Sequence, residues 1–239
     1  MYHSIIFGDD EKNTWADWYL IPSSRPVFNP PAPKTKFIDI PGADSHWDAS
    51  RVLTGDMAYN NRTGSIEFIV DNDHIEWHAL YSRIMDYLHG QVLKATLEDD
   101  PSYYYEGNFS VNSWKSEAHN SKIVIDYNVF PYKYEKASSR ENWEWDSFNF
   151  ETGVIREYNN LRVDGKRVFT IIGQRMQVIP SFIVKSDKGK GMDVTFNGKK
   201  YHLADGTTRE IHIITKMGEN KLTFTGYGTV SIEYRGGCL

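Results

Sequence analysis

The chain has 239 residues, 40 % of them hydrophobic and 25 % charged, enough for one large β domain or two modest ones. A net charge of −5 with no basic run excludes a surface built to neutralise phosphates along a nucleic acid. A single cysteine, Cys238, excludes an intrachain disulfide and fits folding in a reducing cytosol.

Aromatic residues make up 14 % of the chain and tilt the reading towards strands. Charge is uneven. Residues 1–137 carry 12 basic and 20 acidic side chains, a net of −8, and residues 138–239 carry 15 and 12, a net of +3. Two units with different surfaces are expected. The first apolar run, Ile5-Ile6-Phe7, is too short for a signal-peptide core. No stretch approaches the roughly 18 apolar residues of a membrane span. The chain is therefore expected to start soluble in the cytoplasm.

Thr14–Ile21 alternates and predicts a strand with an aromatic face. A Pro-rich stretch, Asn29-Pro30-Pro31-Ala32-Pro33, must be extended and cannot feed a hydrogen-bond ladder. It reads as a stiff surface loop or as an arm reaching a neighbour. Lys36–Ile40 predicts a second strand ended by Pro41-Gly42, and Ser65–Val70 a third. Residues 42–64 between them read as a long loop or hairpin, the kind of segment that is usually functional or mobile. Residues 74–89 predict a helix. Asp73 is the expected N-cap, with Glu76 at capping-box spacing. Trp77, Leu80, Tyr81, Ile84, Tyr87 and Leu88 form one apolar stripe, and Gly90 is the expected left-handed terminator. Strands follow at Val92–Leu97, Tyr103–Phe109, Val111–Trp114 and Ile123–Val129, and Pro131 ends the block.

Residues 135–141 read as a linker between a first domain at 1–134 and a second at 142–239. Strands are predicted at Val168–Ile172, Gln177–Val184, Val194–Phe196, Lys199–Leu203, Ile211–Thr215, Leu222–Thr225 and Val230–Tyr234. Asn197-Gly198 between two of them is a strong hairpin signal, since both turn residues must take positive φ. The fold class expected is mainly β with one helix: an N-terminal β domain and a C-terminal β-sandwich or jelly roll.

Chemistry-bearing patterns are sparse. His74-Ile75-Glu76-Trp77-His78 has the order H-x-E-x-H, not the H-E-x-x-H of zinc proteases, and no third ligand is identifiable. Asp9-Asp10-Glu11 and Glu98-Asp99-Asp100 do not match a calcium loop and read as solvated turn residues. There is no Walker loop, no dinucleotide fingerprint and no nucleophile elbow. No catalytic, cofactor or metal site is expected. Trp143 and Trp145 have period-2 spacing and would share one face of a strand, where they either fill a core or stack on a glycan.

Several ordered segments carry a resemblance. They include Trp15–Pro26, Lys36–Asp44, Tyr59–Arg62, Ile66–Phe68, Ile84–Gly90, Leu97–Pro101, Tyr104–Gly107 and Ile125–Lys133. Together they resemble the N-terminal half of the distal tail proteins of long-tailed phages and prophages of Gram-positive bacteria, over about residues 1–134. Ser45-His46-Trp47 departs from that pattern at the tip of one loop. The resemblance implies a homohexameric ring built by the first domain. Such a ring joins the tail tube protein on one side to the tail-tip hub on the other. It also implies a galectin-like second domain, which serves in some members as an attachment point for a receptor-binding protein or cell-surface glycan. The expected location is the virion tail tip, after synthesis in the bacterial host cytoplasm. Rival readings are a free-standing carbohydrate-binding module and a tail-associated cell-wall hydrolase.

Overall fold

The computed structural model describes residues 3–52, 55–70, 76–115, 121–140 and 157–239. The chain divides into two compact units, residues 1–133 together with Leu239, and residues 134–238. Mainly β structure with a single helix among the described residues agrees with the fold class expected.

The first unit holds β1 (Ile5–Phe7), β2 (Lys12–Asn13), β3 (Leu20–Pro22), β4 (Phe37–Asp39), β5 (His46–Asp48), β6 (Arg62–Val70), α1 (Trp77–Leu88), β7 (Gln91–Leu97), β8 (Tyr103–Lys115) and β9 (Ser121–Val129). Its main sheet runs β2-β1-β7-β8-β9-β6-β3. Every pair in that order is antiparallel. The inner face of the sheet alternates as a half-buried sheet must: Ile66, Phe68 and Val70 on β6 and Ile123, Ile125, Tyr127 and Val129 on β9 are buried. The helix covers that face with Leu80, Ile84 and Leu88, all fully buried.

The helix starts later than the periodicity suggested. Glu76 occupies the N-cap position with extended backbone and no side-chain capping bond, so it cannot close the expected capping box from inside the first turn. Asp73 lies outside the described residues. The C-terminus is as expected: Gly90 takes φ +74° and donates its N–H to the Phe109 carbonyl at 2.8 Å.

The expected strand over Thr14–Ile21 is corrected. Residues 14–18 form turns, and only Leu20–Pro22 is strand. The Asn13 side-chain oxygen accepts the N–H groups of Trp15 (2.8 Å) and Ala16 (3.0 Å), and the Asp17 carboxylate accepts the Asn13 N–H (2.8 Å). Short polar side chains have captured the backbone that a ladder needed. Trp18 is buried by this turn against Phe7 and Tyr87. The two strands predicted at Tyr103–Phe109 and Val111–Trp114 are one, β8, with a register shift between Val111 and Ser113 opposite β9.

β10 (Lys133–Glu135) begins at the last residue of the 1–133 span, and the second unit holds β11 (Leu161–Gly173), β12 (Ser181–Ser186), β13 (Met192–Phe196), β14 (Lys199–Leu203), β15 (Gly206–Arg209), β16 (Gly218–Glu233) and β17 (Gly237–Cys238). β16 is its spine. β11 pairs along it from Gly218 to Val230 on one edge. On the other edge β13 faces Thr223–Thr225 and β12 faces Gly228–Glu233. β14 and β15 extend the sheet outward from β13 and β12. Phe182, Val184, Val194, Leu203, Phe224, Val230 and Ile232 fill the core and are fully buried. Residues 135–139 join this unit: Glu135 donates its N–H to the Gly236 carbonyl, and Ser139 Oγ bonds the Ile232 carbonyl at 2.8 Å.

Asn197 and Gly198 take φ 49° and 77°, the type I′ turn expected between β13 and β14. The separate strands predicted at Leu222–Thr225 and Val230–Tyr234 are one strand, because Gly226 and Gly228 act as close-approach residues and not as breakers. A Cβ on Gly228 would stand 2.2 Å from the Lys185 carbonyl oxygen. The strand expected at Ile211–Thr215 is also corrected. It is irregular apart from a bridge from Thr215 to Val178, and Gly206–Arg209 pairs with β12 in its place.

Candidate assembly surface

The Pro-rich segment is clamped to the sheet at its start. Phe28 is buried among aromatic rings, with centroids 4.2 Å from Tyr105 and 4.8 Å from Tyr127. The Tyr127 hydroxyl accepts the Asn29 N–H at 2.9 Å, and the Asn29 amide donates to the Thr63 carbonyl at 2.9 Å. Prolines cannot supply those donors themselves, so side chains from the sheet must hold the segment.

Arg62 is the centre of the clamp. It is 5 % exposed and lies beside the Tyr105 ring, 5.4 Å from its centroid. Its Nε donates to the Pro131 carbonyl at 2.8 Å and its Nη1 to the Asn29 carbonyl at 3.1 Å. One guanidinium thus ties the arm to the end of β9.

Beyond Asn29 the chain leaves the body. Asn60 donates to the Ala32 carbonyl and Lys34 to the Ala58 carbonyl, both at 2.8 Å, with Pro33 bridged to Tyr59. These bonds close the neck of an excursion spanning residues 35–57. Within it, β4 and β5 pair as a two-stranded ribbon, Phe37 opposite Asp48, Ile38 opposite Trp47 and Asp39 opposite His46. Every residue from Ala32 to Asp48 is exposed. Phe37 (53 %), Ile38 (40 %), Ile40 (51 %), Trp47 (52 %) and Val52 (59 %) present their apolar surface to solvent.

An isolated two-stranded hairpin is marginally stable in water, and a contiguous apolar patch rarely stays uncovered on a soluble protein. Apolar side chains on both faces of the ribbon cannot be covered by the chain's own sheet.

Asp9-Asp10-Glu11 form an exposed turn, as expected, whereas Glu98-Asp99-Asp100 are half-buried and act as staples. Asp99 accepts hydrogen bonds from His3 Nδ1 at 2.9 Å and from Arg25 Nε at 2.7 Å. Those bonds, the His3 one foremost, hold its carboxyl below the usual carboxylate range. Glu98 accepts the Ser4 N–H at 2.8 Å, and Asp100 pairs with Lys133 at 2.5 Å. Asp9 pairs with Lys94 at 2.7 Å, and Asp10 takes the Tyr87 hydroxyl.

Trp143, Trp145 and His74 lie outside the described residues. His78 is exposed and meets the Trp114 ring edge-on. Among the described residues, no group of three or more His, Cys, Asp or Glu side chains could hold a metal ion, and no helix is long and apolar enough to cross a membrane. Sequence reasoning missed Arg62 and Phe28, whose roles depend on partners 33 to 99 residues away in the chain. The uncovered ribbon had a readable signal in Phe37, Ile38 and Ile40, which put apolar groups on both faces of a short strand.

No family model and no curated protein matches the chain. Among solved structures, it is similar to the crystal structure of the SPP1 Dit (gp 19.1) protein, described as a paradigm of the hub adsorption apparatus in phages that infect Gram-positive bacteria. The TM-score is 0.61 at 12 % identity, over 98 % of this chain and 99 % of that one. The two chains share a fold. The fold implied by the resemblance to distal tail proteins is therefore the one found, and the match runs through both units.

Proposed function

We propose that the chain is a structural component of a phage tail tip and not an enzyme. In this reading its first unit forms a homohexameric ring that joins the tail tube protein to the tail-tip hub and host-attachment apparatus. The uncovered β4–β5 ribbon carries the proposal. A closed cyclic ring needs two different complementary surfaces per subunit, and the ribbon supplies one of them. Five side chains about half exposed have roughly 4–7 kcal/mol of apolar transfer still to gain per ribbon. The shared fold with a hub adsorption protein supports the same reading.

The test is light scattering after size-exclusion chromatography, on the chain alone and mixed with the tail tube protein of its own tail. A mass of six subunits is expected. Phe37→Asp combined with Trp47→Asp should give a monomer with unchanged circular dichroism, since both positions are exposed. A wild-type chain monomeric in both mixtures refutes the ring, and a double variant that still forms hexamers refutes the ribbon as its contact.

A further inference from the structure

We propose that the outer face of β11, β16 and β12 in the second unit binds a sugar or polyol phosphate. The inference does not depend on the tail-tip reading.

Phe224, Val230 and Ile232 of β16 lie in the core, and period-2 geometry puts Tyr227, Thr229, Ser231 and Glu233 on the opposite face, where Ser231 is itself buried. Directly opposed residues of an antiparallel pair share a face. The register therefore sets Lys185 of β12 and Arg162 of β11 on either side of Thr229, and Ile183 beside Ser231. A cleft of ≈ 200 Å³ opens on this row, with Ile183, Arg140 and Asn160 also in its lining. Pockets for drug-sized ligands run to about 300–1,000 Å³, so this cleft suits one small polar unit.

The wall of the cleft is held in place. Ser231 Oγ accepts the Asn160 N–H and donates to the Asn159 side-chain oxygen, both at 2.9 Å. Asn160 takes φ +51° to make that bond. The same geometry leaves the Asn159 amide N–H₂ and the Asn160 side chain directed to solvent chemistry, with no protein partner among the described residues.

The two cations that line the cleft are Lys185 and Arg140. Arg162, outside the lining, is neutralised by a bidentate pair with Asp187, at 3.0 and 2.8 Å. Lys185 is exposed and has no ion pair among the described residues. Arg140 makes one long contact to Glu233 at 3.4 Å, which leaves most of its five N–H donors unused. Two cations with spare capacity select an anion. Two asparagine amides and the Thr229 hydroxyl beside them match the donors and acceptors of a polyol. Ile183 offers an apolar spot for the C–H face of a ring, and Tyr227, 55 % exposed, is the next outward residue along the strand.

The test is saturation-transfer NMR on the full chain with glucose 1-phosphate, sn-glycerol 3-phosphate, glucose and inorganic phosphate as separate probes. Both organic phosphates should bind, and binding should weaken about tenfold in Lys185→Gln and in Arg140→Gln, the loss of one charge-assisted contact each. Lys199→Gln, on β14 and outside the lining of the cleft, should leave binding unchanged. All three positions are exposed, and unchanged thermal unfolding shows that the variants fold. No transfer from either organic phosphate overturns the proposal, as does equal binding by the Lys185→Gln, Arg140→Gln double variant. Equal affinity for inorganic phosphate reduces the cleft to a bare anion site, and equal affinity for glucose removes the role of the cations. Either result rejects the assignment.

Discussion

Replacing Arg62 by alanine tests whether one buried guanidinium holds the arm that carries the ribbon. Arg62 donates to backbone carbonyls on two separate segments, Pro131 on one and Asn29, with a longer contact to Phe28, on the other. Hydrogen bonds to a charged group are worth roughly 1.5–3 kcal/mol each, and the Tyr105 contact adds about 0.5–1 kcal/mol. Against this, folding no longer has to desolvate a guanidinium whose Nη2 has no hydrogen-bond partner. The net destabilisation expected is about 2–4 kcal/mol, measured by urea unfolding of the intact chain. Arg62→Lys should recover less than half of it, because a single ammonium cannot match the planar fork between two segments. Hydrogen exchange sharpens the test. The Asn29, Lys34 and Asn60 amides should lose protection in Arg62→Ala, while the amides of β9 around Ile125 keep theirs. A loss below about 0.5 kcal/mol with those three amides still protected would refute the clamp.

Further expectations concern backbone and charge. Gly228→Ala should cost at least about 2 kcal/mol, because φ is +142° and the new Cβ meets the Lys185 carbonyl. Gly198→Ala should cost only about 1 kcal/mol, since nothing lies within 4 Å and the turn strain is the whole penalty; thermal unfolding separates the two. Ile84→Ala, fully buried under the sheet, should cost about 2–5 kcal/mol in urea unfolding. Asp99 has a folded-state pKa below its ordinary 3.8, so its stabilising contribution is complete above that value and is lost as pH falls through the depressed one. The Glu98 amide, which donates to the Ser4 carbonyl, should therefore lose protection below pH 3.8, and Asp99→Asn should show that loss already at neutral pH.

Local signals were legible wherever a few neighbouring residues decide the outcome. The helix stripe of Leu80, Ile84 and Leu88, the terminator Gly90 and the Asn197-Gly198 turn depend only on periodicity and on which residues tolerate positive φ. Mostly-β architecture with one helix could be read from the same patterns. Tertiary structure decided what depends on distant partners. Thr14–Ile21 alternates like a strand, yet the Asn13 and Asp17 side chains took its backbone into turns. Gly226 and Gly228 look like breakers until the Lys185 backbone is placed against them. Glu98, Asp99 and Asp100 look solvated until His3, Ser4 and Lys133 arrive to bind them. The candidate surface follows the same division. Phe37, Ile38 and Ile40 announce an apolar ribbon, but only the fold shows that none of the described residues of their own unit covers it. Periodicity records which face of an element is apolar, and only the packed chain determines whether anything is there to bury it.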